Sequence, residues 1–190
     1  MQRRCGILPP RSLTRRLWLL LMALVAITLA GCAGPGLDAY SDMEPELTPQ
    51  AFFTGELTAR GVVKNRSGEV IRTFDADIDA TWDSQGVGTL DEVFRFDDGE
   101  VQTRVWTLTP NDDGSLHADA GDVVEPGTMR WQGNAINMEY LLRVAYGDST
   151  IDVSMDDWMY LITPDTLINE TTMTKWGFKV GEIVLVIQKQ

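Results

Sequence analysis

Nucleophiles, proton-transfer groups and metal ligands are scarce in this sequence of 190 residues, and the scarcity narrows its chemistry. There is one histidine, His117, and there are two cysteines, Cys5 and Cys32. A zinc site drawing on His117 would have to complete its shell with carboxylates, without the usual Cys and His donors. A serine triad would also need His117, and no Gly-x-Ser-x-Gly elbow occurs in the chain. His117 lies between Leu116 and Ala118 on what reads as a strand's polar side, so a structural or solvent-facing role is expected.

Asp156 and Asp157 are the remaining candidates for acid–base work, each with Glu139 or Glu182 as a possible neighbour. Glycosidases use two carboxylates at a fixed separation. Adjacent residues of a strand point to opposite faces, however, so the two cannot act together if the chain is extended there. A turn leading into Trp158 is the simpler expectation, or a pairing of one Asp with Arg104, Arg143 or Lys175. No enzyme activity, metal or cofactor is expected from such a set. Beyond residue 52 stand Trp82, Trp106, Trp131, Trp158 and Trp176. They suit either a filled core or a small-molecule site, which is apolar with a few placed polar groups. Arg104 and Arg143 interrupt apolar strands and are candidates for those groups. The candidate ligand-binding residues are therefore Trp82, Arg104, Trp106, Tyr140, Arg143, Asp157 and Trp158.

Cys32 has a different chemistry. Residues 1–16 hold Arg3, Arg4, Arg11, Arg15 and Arg16 and no acid, and an apolar run of 13 residues follows from Leu17 to Leu29. That is the basic and apolar pattern of an export signal. It falls short of the roughly 20 residues that span a bilayer core. The run ends in Leu29-Ala30-Gly31-Cys32, which resembles the bacterial lipobox. Small residues there let a peptidase grip extended backbone, and the Cys thiolate takes up the diacylglyceryl group. The resemblance implies cleavage after residue 31 and a lipid on Cys32, with two or more chains for stable anchoring. Ala33, in place of the Asp that marks inner-membrane retention, implies the outer membrane, with the domain facing the periplasm.

Removal of residues 1–31 deletes five arginines and no acid, leaving 11 bases against 28 acids, a net charge of −17. Such acidity argues against nucleic acid as a partner and against broad contact with anionic membrane. With Cys5 removed and Cys32 lipidated, no disulfide is available, so stability must come from a core. Residues 32–51 read as the lipidated Cys and an acidic tether, with Pro35, Pro45 and Pro49 and few apolar residues. A flexible chain of that length reaches about 20–25 Å on average. Residues 52–190 read as a single domain.

Within that domain the hydrophobic period is two. In Phe74-Asp75-Ala76-Asp77-Ile78-Asp79-Ala80-Thr81-Trp82 apolar and polar residues alternate without error, as in a strand with one buried and one wet face. Strands are expected at 54–64, 69–82, 87–97, 100–109, 115–123, 128–132, 135–146, 149–155, 157–162, 166–173 and 180–189. Turn signals separate them, including Pro126-Gly127 and Asp98-Gly99, the latter predicting a two-residue hairpin. So many antiparallel strands need closure to remove their edges. The expected fold is all-β, a closed or nearly closed antiparallel barrel of roughly eight to ten strands with lipocalin-like architecture. A two-sheet sandwich is the alternative.

Several words in the domain resemble a family of uncharacterised proteobacterial lipoproteins, domain-of-unknown-function family 3833. They are Phe52-Phe53-Thr54-Gly55-Glu56-Leu57, Gly61-Val62-Val63, and Phe94-Arg95-Phe96-Asp97-Asp98-Gly99-Glu100 with Arg104 and Trp106. Gly133-Asn134-Ala135, Asp156-Asp157-Trp158-Met159-Tyr160-Leu161, Asn169, Met173, Lys175, Gly177 and Gly181-Glu182 complete the pattern. Glu170 stands where that family usually carries a basic residue. The resemblance implies an envelope location and one continuous fold, and brings no activity. Together these readings lead to a membrane-anchored barrel that holds a lipid or other apolar molecule, or else a filled barrel acting through a protein partner.

Overall fold

The computed structural model describes Trp18 and residues 35–190 other than Asp148. The expected signal segment, apart from Trp18, and Cys32 lie outside the described residues. No helix among the described residues is long and apolar enough to cross a membrane.

Ten antiparallel strands form one closed barrel, each paired with its neighbour in sequence, with the last pairing to the first. They are β1 (Gly55–Asn65), β2 (Val70–Trp82), β3 (Gly88–Phe96), β4 (Val101–Pro110) and β5 (Leu116–Ala120), then β6 (Val123–Gln132), β7 (Ala135–Tyr146), β8 (Ser149–Thr163), β9 (Thr166–Lys175) and β10 (Phe178–Lys189). Closure runs from Leu57 opposite Lys189 to Asn65 opposite Gly181. The expected barrel is thus present, and the sandwich is not. Alternation sets the faces. In β2, Phe74, Ala76, Ile78 and Ala80 are buried while Asp75, Asp77 and Asp79 are exposed. On the outside Arg95 lies opposite Asp75 and donates to Asp77 at 2.8 Å.

Three expected boundaries change. Asp156-Asp157 is not a turn: β8 runs through it without a break, so 149–155 and 157–162 are one strand. Pro126-Gly127 lies inside β6, where the pairing with β7 shifts register. A proline has no N–H for the ladder and sits where pairing is broken. The Asp98-Gly99 hairpin has three loop residues, because Phe96 N donates to Glu100 O and Gly99 N to Phe96 O. Gly99 has φ +87°, the left-handed residue that closes this loop.

The larger correction concerns the tether. Residues 36–53 are not free chain but a strap seated on the barrel. Leu37–Tyr40 forms a short 3-10 turn and Pro49–Phe52 one helical turn, capped by Thr48 Oγ1 accepting from Ala51 N at 3.3 Å. Leu47 N donates to Gly133 O at 2.7 Å, and Leu47, Pro49, Phe52 and Phe53 are buried. Phe52 and Phe53 meet edge-on and plug the barrel end that carries the β2–β3, β4–β5, β6–β7 and β8–β9 turns. Burial of Leu47, Phe52 and Phe53 works against the ordering cost of the segment. The buried cluster runs in sequence from Leu47 to Ile187, and residues 36–190 form one compact unit holding every strand and the plug. Every strand and the buried cluster of the described residues therefore lie within residues 36–190.

Candidate functional site

The inward residues of the barrel are mostly apolar, and the exceptions gather in one place. Alternation carries Leu90, Glu92 and Phe94 of β3 inward, and Arg104, Trp106 and Leu108 of β4. Registry sets Glu92 opposite Arg104 and Leu90 opposite Trp106. On the far wall β7 supplies Met138 and Tyr140, β8 Asp157 and Met159, and β9 Asn169 and Thr171, with Asp157 opposite Thr171. Trp106 and Tyr140 meet edge-on across the interior, ring centres 5.2 Å apart. Between the walls lies a cavity of about 120 Å³. Its apolar lining includes Phe74, Ile78, Leu90, Phe94 and Leu185, and its polar corner is Glu92, Arg104, Tyr140, Asp157, Asn169 and Thr171. A smaller apolar cluster around Leu142, Val153 and Met155 is packed by Val144, Ile151 and Ile183.

Arg104 is committed. Its Nε donates to Asp122 Oδ1 and Oδ2 at 3.1 and 3.0 Å, and its Nη2 to Oδ2 at 2.8 Å. Its guanidinium carbon lies 5.7 Å from the ring centres of both Phe94 and Trp106. That leaves Nη1 facing Glu92 Oε2 at 4.0 Å, too long for a hydrogen bond. Glu92 is 9% exposed, and its Oε2 has no hydrogen-bond partner among the described residues. Burial pushes the Glu92 carboxyl up to about 7; the Arg104 charge opposes that rise and the Asp157 charge adds to it. Asp157 accepts from the Thr171 hydroxyl. Burial raises the Asp157 carboxyl too, against the pull of Thr171, Tyr140 and Asn169. The Tyr140 phenol is driven well above its usual range by burial and by Asp157.

The arrangement is an ion pair, buried Arg104 with half-exposed Asp122, beside two carboxyls that hold protons more tightly than usual. An unpaired buried acceptor next to open space is an unmet hydrogen-bond demand costing about 1–3 kcal/mol. A water or a ligand's polar group meets it. Among the described residues no group of three or more His, Cys, Asp or Glu side chains is placed to hold a metal ion.

Of the seven candidate ligand-binding residues, Arg104, Trp106, Tyr140 and Asp157 come together at this cavity. The other three do not. Trp82 sits at the plugged end, where its indole N–H donates to Phe53 O at 2.6 Å. Arg143 is outside, its Nε donating to Asp152 Oδ1 at 2.8 Å. Trp158 is outside as well, its ring 5.7 Å from that of Tyr40 in the strap. Parity explains both. Tyr140, Leu142 and Val144 face inward, so Arg143 faces out; Asp157 faces inward, so Trp158 cannot. Asp156 accepts from Asn137 Nδ2 at 2.9 Å and lies opposite Glu139. Glu182 pairs with Lys179 and Lys64. The carboxylate combinations expected from sequence therefore leave Asp157 out, and His117 is exposed on β5. Sequence reasoning missed Glu92, Asn169 and Thr171. The signal for Glu92 was present: Leu90-x-Glu92-x-Phe94 sets a carboxylate on an otherwise apolar face.

Fold and site together define a small up-and-down β-barrel with a polar corner inside an apolar interior. Over residues 26–189 the sequence matches the family described as Protein of unknown function (DUF3833), and the chain belongs to that family. No curated protein matches it. Among solved structures it is similar to an S-type phycobiliprotein lyase, CPES, from Guillardia theta, with 14% identity, TM-score 0.47, 83% of this chain and 99% of that chain covered. It is also similar to Rv2717c from M. tuberculosis, with 16% identity, TM-score 0.49, 78% of this chain and 99% of that chain covered. An odorant binding protein, OBP1, follows at 13% identity and TM-score 0.35, with 77% of each chain covered.

Proposed function

We propose that this chain is a non-enzymatic outer-membrane lipoprotein, lipidated at Cys32, whose periplasmic barrel binds a small, mainly apolar molecule carrying one polar group. The observation that carries the binding half is the cavity of about 120 Å³ with the orphaned Glu92 Oε2 on its wall. A barrel filled for stability alone leaves no reason to hold a carboxyl there, since an apolar residue of similar volume is as stable or more so. The anchoring half rests on the Leu29-Ala30-Gly31-Cys32 word and Ala33.

Native mass spectrometry of residues 36–190, purified gently from the periplasm, tests the binding half. A reproducible extra mass that extracts into organic solvent is expected. A bare apo mass, with no uptake of added apolar probes, overturns it. Labelled palmitate should enter the wild-type precursor and co-sediment with outer membrane. Equal labelling of Cys32→Ser, or wild-type label in the inner membrane, overturns the anchoring half.

One observation favours a second reading, contact with an envelope protein partner. Trp176, Phe178 and Tyr146 are 87%, 72% and 70% exposed. They flank the neighbouring β9–β10 and β7–β8 turns at the end opposite the plug. Three exposed aromatic rings at neighbouring hairpin ends could form one apolar contact patch.

A further inference from the structure

The polar corner has a sign. Four charged or titratable groups face Glu92: Arg104 from β4, Asp122 from the β5–β6 turn, Tyr140 from β7 and Asp157 from β8. The residues that β1, β2, β9 and β10 contribute to the cavity carry no charge. Asp122 neutralises Arg104 through the three contacts already described. Beyond Arg104, whose Nη1 lies 4.0 Å from Glu92, the other two carboxyls face no cation among the residues lining the cavity. Glu92 has an oxygen without a hydrogen-bond donor, and Asp157 is buried among Thr171, Asn169 and Tyr140. The missing partner is a donor, and a positively charged one satisfies both hydrogen bonding and charge.

We propose that the cavity is a site for an amine, a small amphiphile whose protonated nitrogen meets Glu92 and Asp157 while its apolar body lies against Ile78, Leu90 and Leu185. This rests on the reading that the barrel holds a mainly apolar ligand, and adds the chemistry of its head. A carboxylate ligand fits badly, because the only guanidinium at the site is taken by Asp122 and the incoming charge would meet two carboxyls. Trp106, Tyr140 and Phe94 border the same corner, and aromatic rings favour a cation over an anion. The raised proton affinity of Glu92 fits the same sign, since burial gives that carboxyl a need for a proton and pushes Asp157 in the same direction. A bound ammonium removes that need, so binding releases a proton.

Three probes of one length separate head group from chain: hexylammonium, hexanoate and hexanol, titrated calorimetrically into residues 36–190. At pH 8 hexylammonium is expected to bind about tenfold tighter than either of the others. Its affinity should rise about tenfold between pH 6 and pH 8, as a site titrating near 7 requires. At pH 6, below the Glu92 midpoint of about 7, heats measured in two buffers of different ionisation enthalpy should show proton release, which fades by pH 8. Glu92→Gln should lose about tenfold for hexylammonium, and markedly less for hexanol. Tightest binding by hexanoate, or equal binding by all three probes, overturns the amine assignment and leaves the apolar-ligand reading standing. Binding by none overturns both.

Discussion

Replacing Glu92 by Gln tests the electrostatics of the barrel interior without any ligand. The substitution keeps shape and removes the titration. In the folded protein Glu92 titrates at about 7 instead of its ordinary 4.5. The shift is upward, so folding favours the protonated form. Below pH 4.5 the side chain is neutral in both folded and unfolded chains, and it opposes folding only as pH rises. Between pH 4.5 and about 7 the wild type loses stability at up to about 1.4 kcal/mol per pH unit relative to the variant, and the loss then levels off. The full difference is about 3 kcal/mol, from a shift of roughly 2.5 units at 1.36 kcal/mol each. Urea unfolding of both proteins at half-unit intervals from pH 4 to pH 8.5 measures it. The two curves should coincide near pH 4 and diverge to a plateau above pH 7.5, with the variant the more stable. Parallel curves, or a wild type that is more stable at pH 8, would refute the reasoning, because Glu92 would then have to be ionised at little cost.

Two further outcomes follow from the same structure. Leu47→Ala should cost about 2–5 kcal/mol in urea unfolding, the range for a buried Leu, whereas a free tether predicts no change. Arg104→Met should bring Asp122 and Glu92 together without their cation. Thermal unfolding at pH 8 should then show a loss that shrinks at pH 5, as Glu92 takes a proton; a loss independent of pH would deny that Arg104 acts through its charge.

The strands were legible because a closed barrel imposes on every strand the alternation that β2 displays in the open. The same parity placed Arg104, Trp106, Tyr140 and Asp157 on one surface. It was not followed through at Arg143 and Trp158, whose chemistry suggested a site but whose positions face solvent and strap. The strap itself was not legible. Leu47 and Phe52 are too few in their stretch to announce a packed element, and their seat is made by Gly133 and the far ends of strands distant in sequence. At Gly133 a Cβ would come within 1.8 Å of Tyr40 O. Such contact is between surfaces, and no local period encodes it. Continuity of β8 through Asp156-Asp157 was hidden for a similar reason, since only burial against Thr171 makes an aspartate acceptable on the inner face.

The seated strap also shortens a leash. With a lipid on Cys32, only residues 33–35 separate the acyl chains from the first residue of the folded unit, Gly36. Four virtual bonds fully stretched cover at most about 14 Å. The barrel is then moored rather than trailing, and its mooring point lies beside the plugged end, where Tyr40 packs on Trp158 and crosses Gly133. Trp176 and Phe178 stand at the opposite pole, roughly 30 Å away for strands of this length tilted as barrel strands are. If the proposed lipid is present, a barrel held so close to its plugged end would turn its opposite rim away from the bilayer. On the proposed reading, with Cys32 lipidated, the exposed rings of Trp176 and Phe178 would then face the aqueous side and a partner there.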